Sequence, residues 1–232
     1  MKILILPCAG GTSLNYREFY PKCKDVIIYE YPGHWSRIDE AFKNSIEDLA
    51  KSVVEWYSLK ICDKEVVILG HSMGAVVGYE AIKYFLCQNI KVKKLCVAAC
   101  CTPKKLCATL NIEKILENDA KILCFLKSIR QNVGDVVESS FFKDNLLPSI
   151  KNDFQLLNKY GKEKNEEKRE NPINIPIIGF YGNNDSLVNY FEICEWKLLT
   201  TQEACFFKFS GDHFFVNKYV DKILQIILEY PQ

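Results

Sequence analysis

The chain has 232 residues, 48% hydrophobic and 25% charged, which is enough for one sizeable core and within the range of a single α/β domain. Thirty basic against 29 acidic residues leave a formal net charge of +1, so no global field draws the protein to nucleic acid or to an anionic membrane, and an acidic partner has to meet a local patch. Eleven cysteines, an odd number without a C-x-x-C pair, and three separated histidines, His34, His71 and His213, suggest neither a zinc site nor a regular disulfide framework.

The first apolar run, "KILILP" (Lys2 to Pro7), reads as a buried strand. It is too short for the core of a signal peptide, and no later segment approaches the ~20 apolar residues of a membrane span. The expectation is a soluble, reduced, cytoplasmic protein. A second strand is predicted in "DVIIYEYP" (Asp25 to Pro32), and after it Ile38, Phe42, Ile46, Leu49, Val53 and Trp56 recur at steps of three or four, the apolar face of one long helix. "EVVILG" (Glu65 to Gly70) is a third strand, followed by a helix from Ala75 to Leu86; "KLCVAAC" (Lys94 to Cys100) is a fourth.

From about Thr102 to Asn174 no strand is evident, only helix-like pieces over Ile112 to Ile129 and Val136 to Tyr160 and then the polar stretch "GKEKNEEKREN". That charge run reads as a solvated helix end or mobile loop and not as a binding tail. The interval is too long for an ordinary connection, so it is expected to be a helical lid insertion, at about 104–172, over the C-terminal edge of the sheet. "IPIIGFYG" (Ile175 to Gly182) and "ACFFKFSG" (Ala204 to Gly211) complete the strands, and Val220, Ile223, Leu224 and Ile227 mark a last helix. Runs buried on both faces, alternating with helices, imply one α/β domain over 1–232 with a mostly parallel central sheet flanked by helices.

The motif that carries chemistry lies between the third strand and its helix. Gly70-His71-Ser72-Met73-Gly74 is a G-x-S-x-G turn of the nucleophile-elbow type, in which a strained turn exposes a serine hydroxyl above the sheet. Glycines two residues either side are required because neighbouring backbone comes too close for a side chain. A hydroxyl needs a base, and in this arrangement acid and then histidine follow the serine. His213, in "FSGDHFFV", is the only histidine C-terminal to Ser72. Asp185, just past the strand ending at Gly182, is the matching acid; Asp212, Asp153 and Asp221 fit less well, and Asp212 reads as a turn residue. His71 should point away from the reacting face as a packing or hydrogen-bonding residue. The oxyanion of a tetrahedral intermediate needs backbone donors. Met73 N–H is one, and the other is sought in "LPCAGGTS", where Ala9 is the first choice and Cys8 the second. No dinucleotide or Walker pattern is present in that loop.

At these residues the sequence resembles the type II (external, editing) thioesterases that accompany nonribosomal peptide and polyketide synthases, within the α/β-hydrolase superfamily. The resemblance is carried in order by "LPCAGGTSLNYREF", "YPGHWSRIDE", "GHSMGAVVGYE", "LPSIKNDF", "GNND" and "GDHFF", across nearly the whole chain. It departs where Cys8 stands for the family's usual aromatic and His34 for its first arginine after Y-P-G; Arg37 and Glu40 match and are expected to form a structural ion pair. The resemblance implies an α/β-hydrolase fold, Ser72, Asp185 and His213 as triad, and Met73 and Ala9 amides as oxyanion hole. It also implies hydrolysis of acyl groups from the phosphopantetheine thiol of acyl or peptidyl carrier proteins. A monomer with no cofactor and no metal is expected.

Carrier proteins are typically acidic, so Lys104 and Lys105, with Lys91, Lys93 and Lys94, are candidates for a docking cluster at the lid mouth, or else ordinary solubilising lysines. The triad alone does not separate this activity from a medium-chain acyl-carrier-protein thioesterase of fatty acid synthesis or a carboxylesterase or lipase. A catalytically silent binding protein would have no need of a complete triad with two oxyanion elements.

Overall fold

The computed structural model describes residues 1–129, 134–167 and 172–230. Strand β1 (Lys2–Leu6) leads through a 3-10 turn at Ser13–Phe19 to β2 (Val26–Ile28) and a second such turn at Trp35–Arg37. Helix α1 (Ile46–Lys60), strand β3 (Glu65–His71), helix α2 (Met73–Cys87) and strand β4 (Lys91–Ala98) follow. The next helices are α3 (Leu106–Leu110), α4 (Ile112–Ile115), α5 (Asp119–Ile129), α6 (Gly134–Glu138), α7 (Ser140–Asn145) and α8 (Leu147–Glu166). The chain then returns to β5 (Ile177–Gly182), α9 (Tyr190–Cys194), β6 (Ala204–Phe209) and α10 (Val220–Glu229).

The six strands form one sheet in the order β2-β1-β3-β4-β5-β6, every neighbouring pair parallel. Alternate side chains of each strand enter opposite cores. Leu4, Leu6, Val66 and Ile68 join α1, α2 and the helices between β4 and β5, whereas Ile3, Ile5, Val67 and Leu69 join Tyr16, Phe19 and α10. The chain leaves β1 to one side for β2 and returns on the other for β3, so the order reverses between β1 and β3. In an open parallel sheet this is where a crevice forms at the strands' C-terminal ends.

Two expectations are corrected. The long helix from Ile38 begins only at Ile46, because Ser45 caps it by accepting the Asp48 N–H at 3.0 Å. Ile38 and Phe42 lie before the cap, and the Phe42 ring instead covers Gly33 and His34. The piece from Val136 to Tyr160 is likewise divided: Ser139 caps α7 through the Phe142 N–H, and Pro148 opens α8. The charge run is the end of α8 as far as Glu166, and residues 168–171 lie outside the described residues. No helix among the described residues is long and apolar enough to cross a membrane.

Replacing the cap, Ser45→Ala, is expected to lower stability by about 1 kcal/mol, read as a fall in Tm of roughly 2–4 °C for a chain of this size.

Candidate active site

Ser72 sits at φ 52°, ψ −118°, between the last residue of β3 and the first of α2. That backbone is in the left-handed half of the map, which a non-glycine residue adopts only when its surroundings impose it. The surroundings are explicit. A Cβ on Gly74 would overlap the Leu6 carbonyl, and one on Gly70 would overlap the Gly74 carbonyl and Ala75 backbone. Both glycines let α2 start directly against the end of β1, whose Leu6 pairs with Gly70.

Asp185 and His213 come from the loops after β5 and β6. The two loops are tied to one another: Asn183 N–H donates to Phe209 O, Asn184 N–H to Gly211 O, and Gly211 N–H to Asn183 Oδ1. Gly182 allows this approach, since a Cβ there would press on the Gly211 and Asp212 carbonyls. Asp212 accepts the Phe214 N–H at 2.9 Å and so shapes the turn that presents the histidine. The buried Asp185 carboxylate is fully used: Oδ2 accepts from His213 Nδ1 at 2.9 Å, and Oδ1 accepts Leu187 N–H at 2.8 Å and Val188 N–H at 3.3 Å. His213 Nδ1 thereby carries the proton, which leaves Nε2 as the ring's acceptor. Ser72 and His213 line one small cavity of about 10 Å³, closed by Leu106 and Leu110 of α3, Leu157 of α8 and Val188.

The loop after β1 is held amide by amide. Cys8 N–H donates to Tyr16 Oη at 3.0 Å, Gly10 N–H to Asp153 Oδ2 at 2.7 Å, and Gly11 N–H to Cys8 O at 2.8 Å. Ala9 N–H, between them, has no acceptor among the described residues, and neither does Met73 N–H at the start of α2. Cys8, the second choice from sequence, has its amide already engaged.

His71 is fully buried behind Ser72, as expected of a residue pointing away from the reacting face. It bonds Tyr16 Oη through Nδ1 at 2.8 Å and the His213 carbonyl through Nε2 at 2.8 Å. A carbonyl can only accept, so Nε2 carries the proton, and Nδ1 takes the Tyr16 hydroxyl hydrogen while that oxygen takes Cys8 N–H. Burial, with the nearby His213 adding to it, pushes the His71 pKa down to about 3 and keeps the ring neutral. His71 thus joins the loop after β1 to the loop after β6.

Other sequence assignments separate here. Arg37 and Glu40 form the expected two-pronged pair at 2.7 and 2.6 Å, and Arg37 Nη1 also donates to Glu30 O. The docking cluster is corrected: Lys91, Lys93 and Lys94 begin β4 at the end of the sheet opposite Ser72. Lys94 is buried, its ammonium donating to the carbonyls of Ile227 and Tyr230 at the end of α10, and Lys93 pairs with Glu65. Lys105 pairs with Glu195 at 3.3 Å. Lys104 borders a cavity of about 530 Å³ that neither Ser72 nor His213 lines, so volume is no guide to the site. The cavity that touches the loop after β1 is about 290 Å³ and is walled by Ala9, Gly10, Trp35, Ile150 and Phe214. Asp153, His34 and Tyr16 were not singled out by sequence as parts of one site. Their partners are up to 143 residues away, and no local spacing reports such contacts.

A model of the thioesterase domain matches residues 1–230. The gramicidin S biosynthesis protein GrsT of Aneurinibacillus migulanus is 26% identical over 220 residues, 93% of this chain and 83% of the relative. A probable anguibactin biosynthesis thioesterase, AngT of Vibrio anguillarum, is 26% identical over 234 residues, 97% of this chain and 89% of the relative. Among solved structures, RedJ, a thioesterase from the prodiginine pathway of Streptomyces coelicolor, superposes with a TM-score of 0.84 at 21% identity, covering 97% of this chain and 84% of RedJ. That likeness shows the shared α/β-hydrolase fold.

His71 yields a stability prediction of definite sign. The folded ring stays neutral down to about pH 3, whereas the unfolded one takes a proton below its ordinary value of about 6.5. Its contribution is therefore complete above about pH 6.5 and is lost as the pH falls below it. Between pH 6 and 4, His71→Asn should flatten the pH dependence of unfolding free energy by about 1.4 kcal/mol per pH unit, measured by denaturant titration.

Proposed function

The chain belongs to the thioesterase family, and on that premise we propose that it hydrolyses acyl groups from the phosphopantetheine thiol of carrier proteins serving nonribosomal peptide or polyketide synthesis. It would clear stalled or wrongly primed arms, acting as a monomer in the cytoplasm. The observation that carries the reading is that His213, held by Asp185, lines one cavity with a strained Ser72 and with Met73, whose N–H has no acceptor among the described residues. The biosynthetic names of GrsT and AngT support carrier-bound substrates.

In this reading Ser72 Oγ attacks the thioester carbonyl while His213 Nε2 takes its proton, and Asp185 holds the ring in the required tautomer and stabilises the imidazolium. Charge developing on the carbonyl oxygen is met by Ala9 N–H and Met73 N–H, the second at the positive end of α2. The C–S bond breaks with the proton of His213 available to the sulfur. A thiol with an ordinary pKa of about 8.5 is a good leaving group, so little assistance is needed. Water then attacks the acyl-serine ester, giving its proton to His213, which returns it to Ser72 Oγ as the carboxylic acid departs. No step calls for a metal or cofactor.

The helices from α3 to α8 form the lid in this reading and set acyl preference. The space beside Ser72, about 10 Å³, holds no more than one water-sized group. An acyl chain of several carbons requires α3 and α8 to part, or must lie in the 290 Å³ cavity bordered by the loop after β1. In this reading acyl preference is set by how far α3 and α8 part, and short acyl groups, the units that misprime carriers, require the least opening.

Ser72→Ala is expected to lower thioester hydrolysis on the order of 10⁴-fold or more; wild-type turnover by this variant would overturn the enzymatic reading. Offered acylated carrier proteins, acyl-CoAs and simple oxygen esters of equal chain length, the wild type is expected to prefer the carrier-bound thioester and short chains. A preference for oxygen esters would make it a carboxylesterase, and a medium-chain optimum a fatty-acid chain-terminating thioesterase.

A further inference from the structure

Two buried ionisable groups outside the proposed triad meet directly behind the loop after β1. Asp153 of α8 and His34 of the turn after β2 have side chains essentially without solvent contact. One oxygen, Asp153 Oδ2, accepts both Gly10 N–H at 2.7 Å and His34 Nε2–H at 3.0 Å. His34 Nδ1 lies 3.1 Å from the Pro32 carbonyl. Both ring nitrogens therefore face groups that only accept, so both carry protons and the pair is an imidazolium against a carboxylate.

Such a pair is a costly way to fill a core. Desolvating two charges offsets most of their attraction, and an apolar pair of similar volume is often as stable or more so. Asp153 Oδ1 is moreover buried with no partner among the described residues. What a carboxylate does here that an apolar side chain does not is hold a backbone N–H of an irregular loop. The contact is closely built: Gly10 has φ +64°, and Ile150, one turn before Asp153 on α8, occupies the space a Gly10 Cβ would need. On the other side of Ala9, Cys8 N–H is held by Tyr16. Peptide planes are rigid, so fixing the Cys8 and Gly10 amides restricts the direction of the one between them.

We propose that Asp153, held by His34, is a positioning residue that aims Ala9 N–H at the substrate carbonyl oxygen and thereby couples the seating of α8 to the oxyanion hole. This rests on the reading of Ser72 and Ala9 given above. The coupling has a pH signature. Burial lowers the His34 pKa, but the hydrogen bond and charge of Asp153 outweigh it and leave the value above the ordinary 6.5. The groups facing His34 are Asp153 from α8, Glu30 and Tyr31 from the segment after β2, and the uncharged ring of Phe42. With the folded value raised, the pair is complete below pH 6.5 and is lost as the pH rises through the folded pKa.

The test measures kcat, KM, melting temperature and the affinity of an alkyl boronic acid, whose tetrahedral adduct on Ser72 reports the oxyanion hole. Asp153→Asn is expected to lower kcat about 10–100-fold, less than the loss of a whole oxyanion donor, with KM little changed and boronate affinity falling in parallel. His34→Gln should do the same more weakly. His34→Arg keeps a cation opposite Asp153 at every pH, so it should retain more activity than His34→Gln and lose the alkaline decline of the wild type. A folded Asp153→Asn enzyme with wild-type kcat and boronate affinity overturns the proposal. If that variant does not fold, an alkaline decline persisting unchanged in His34→Arg overturns it instead. Failure of the underlying reading is distinguishable, because then the wild type itself would neither hydrolyse thioesters through Ser72 nor bind the boronate.

Discussion

The arrangement depends on one close approach, that of Gly74 at the start of α2 to the Leu6 carbonyl at the end of β1. It is possible only without a side chain at Gly74, and the same crowding at Gly70 forces the intervening Ser72 into its positive-φ turn. Because β1 and β3 are neighbours at the point where strand order reverses, the approach sets the first amide of α2 beside the loop after β1. Backbone crowding, more than any side-chain contact, makes these two loops into one wall.

That wall is held by two buried histidines in opposite charge states. His71 faces a hydroxyl on one nitrogen and a carbonyl on the other, so one proton suffices and burial keeps it neutral. His34 faces a carbonyl and a carboxylate, and the carboxylate keeps the second proton on the ring. Comparable burial thus has opposite outcomes because the partners differ. One histidine ties Cys8 through Tyr16 to the His213 loop, and the other ties Gly10 through Asp153 to α8. A change on either side of the loop after β1 is transmitted to the Ala9 amide between them.

Much of this was legible in the sequence because it is local. The apolar runs of β1, β3 and β5 are continuous since a parallel sheet buries both faces, and the glycines around Ser72 mark the turn they permit. Asp185 and His213 could be chosen by chain order because each follows a strand. The start of α1 was misread because Ile38 and Phe42 continue the apolar period of the helix while lying outside it. Periodicity reports which residues face an apolar surface and is blind to where a cap such as Ser45 interrupts the backbone. Lys94 was misassigned for a similar reason: a lysine in sequence looks like surface charge, and only the end of α10 makes it a buried capping group.

By itself the sequence determined most of the strands and the glycine-flanked turn at Ser72, and it singled out Asp185 and His213 as candidates, because these follow from short-range sterics and from the chemistry of single residue types. The tertiary structure alone decided which amide of the loop after β1 lacks an acceptor among the described residues, that Cys8 N–H is taken by Tyr16, and that Asp153 meets Gly10 and His34 across more than a hundred residues. The physical reason is that hydrogen-bond satisfaction and desolvation belong to groups brought together by packing, and no spacing along the chain encodes which distant partner arrives.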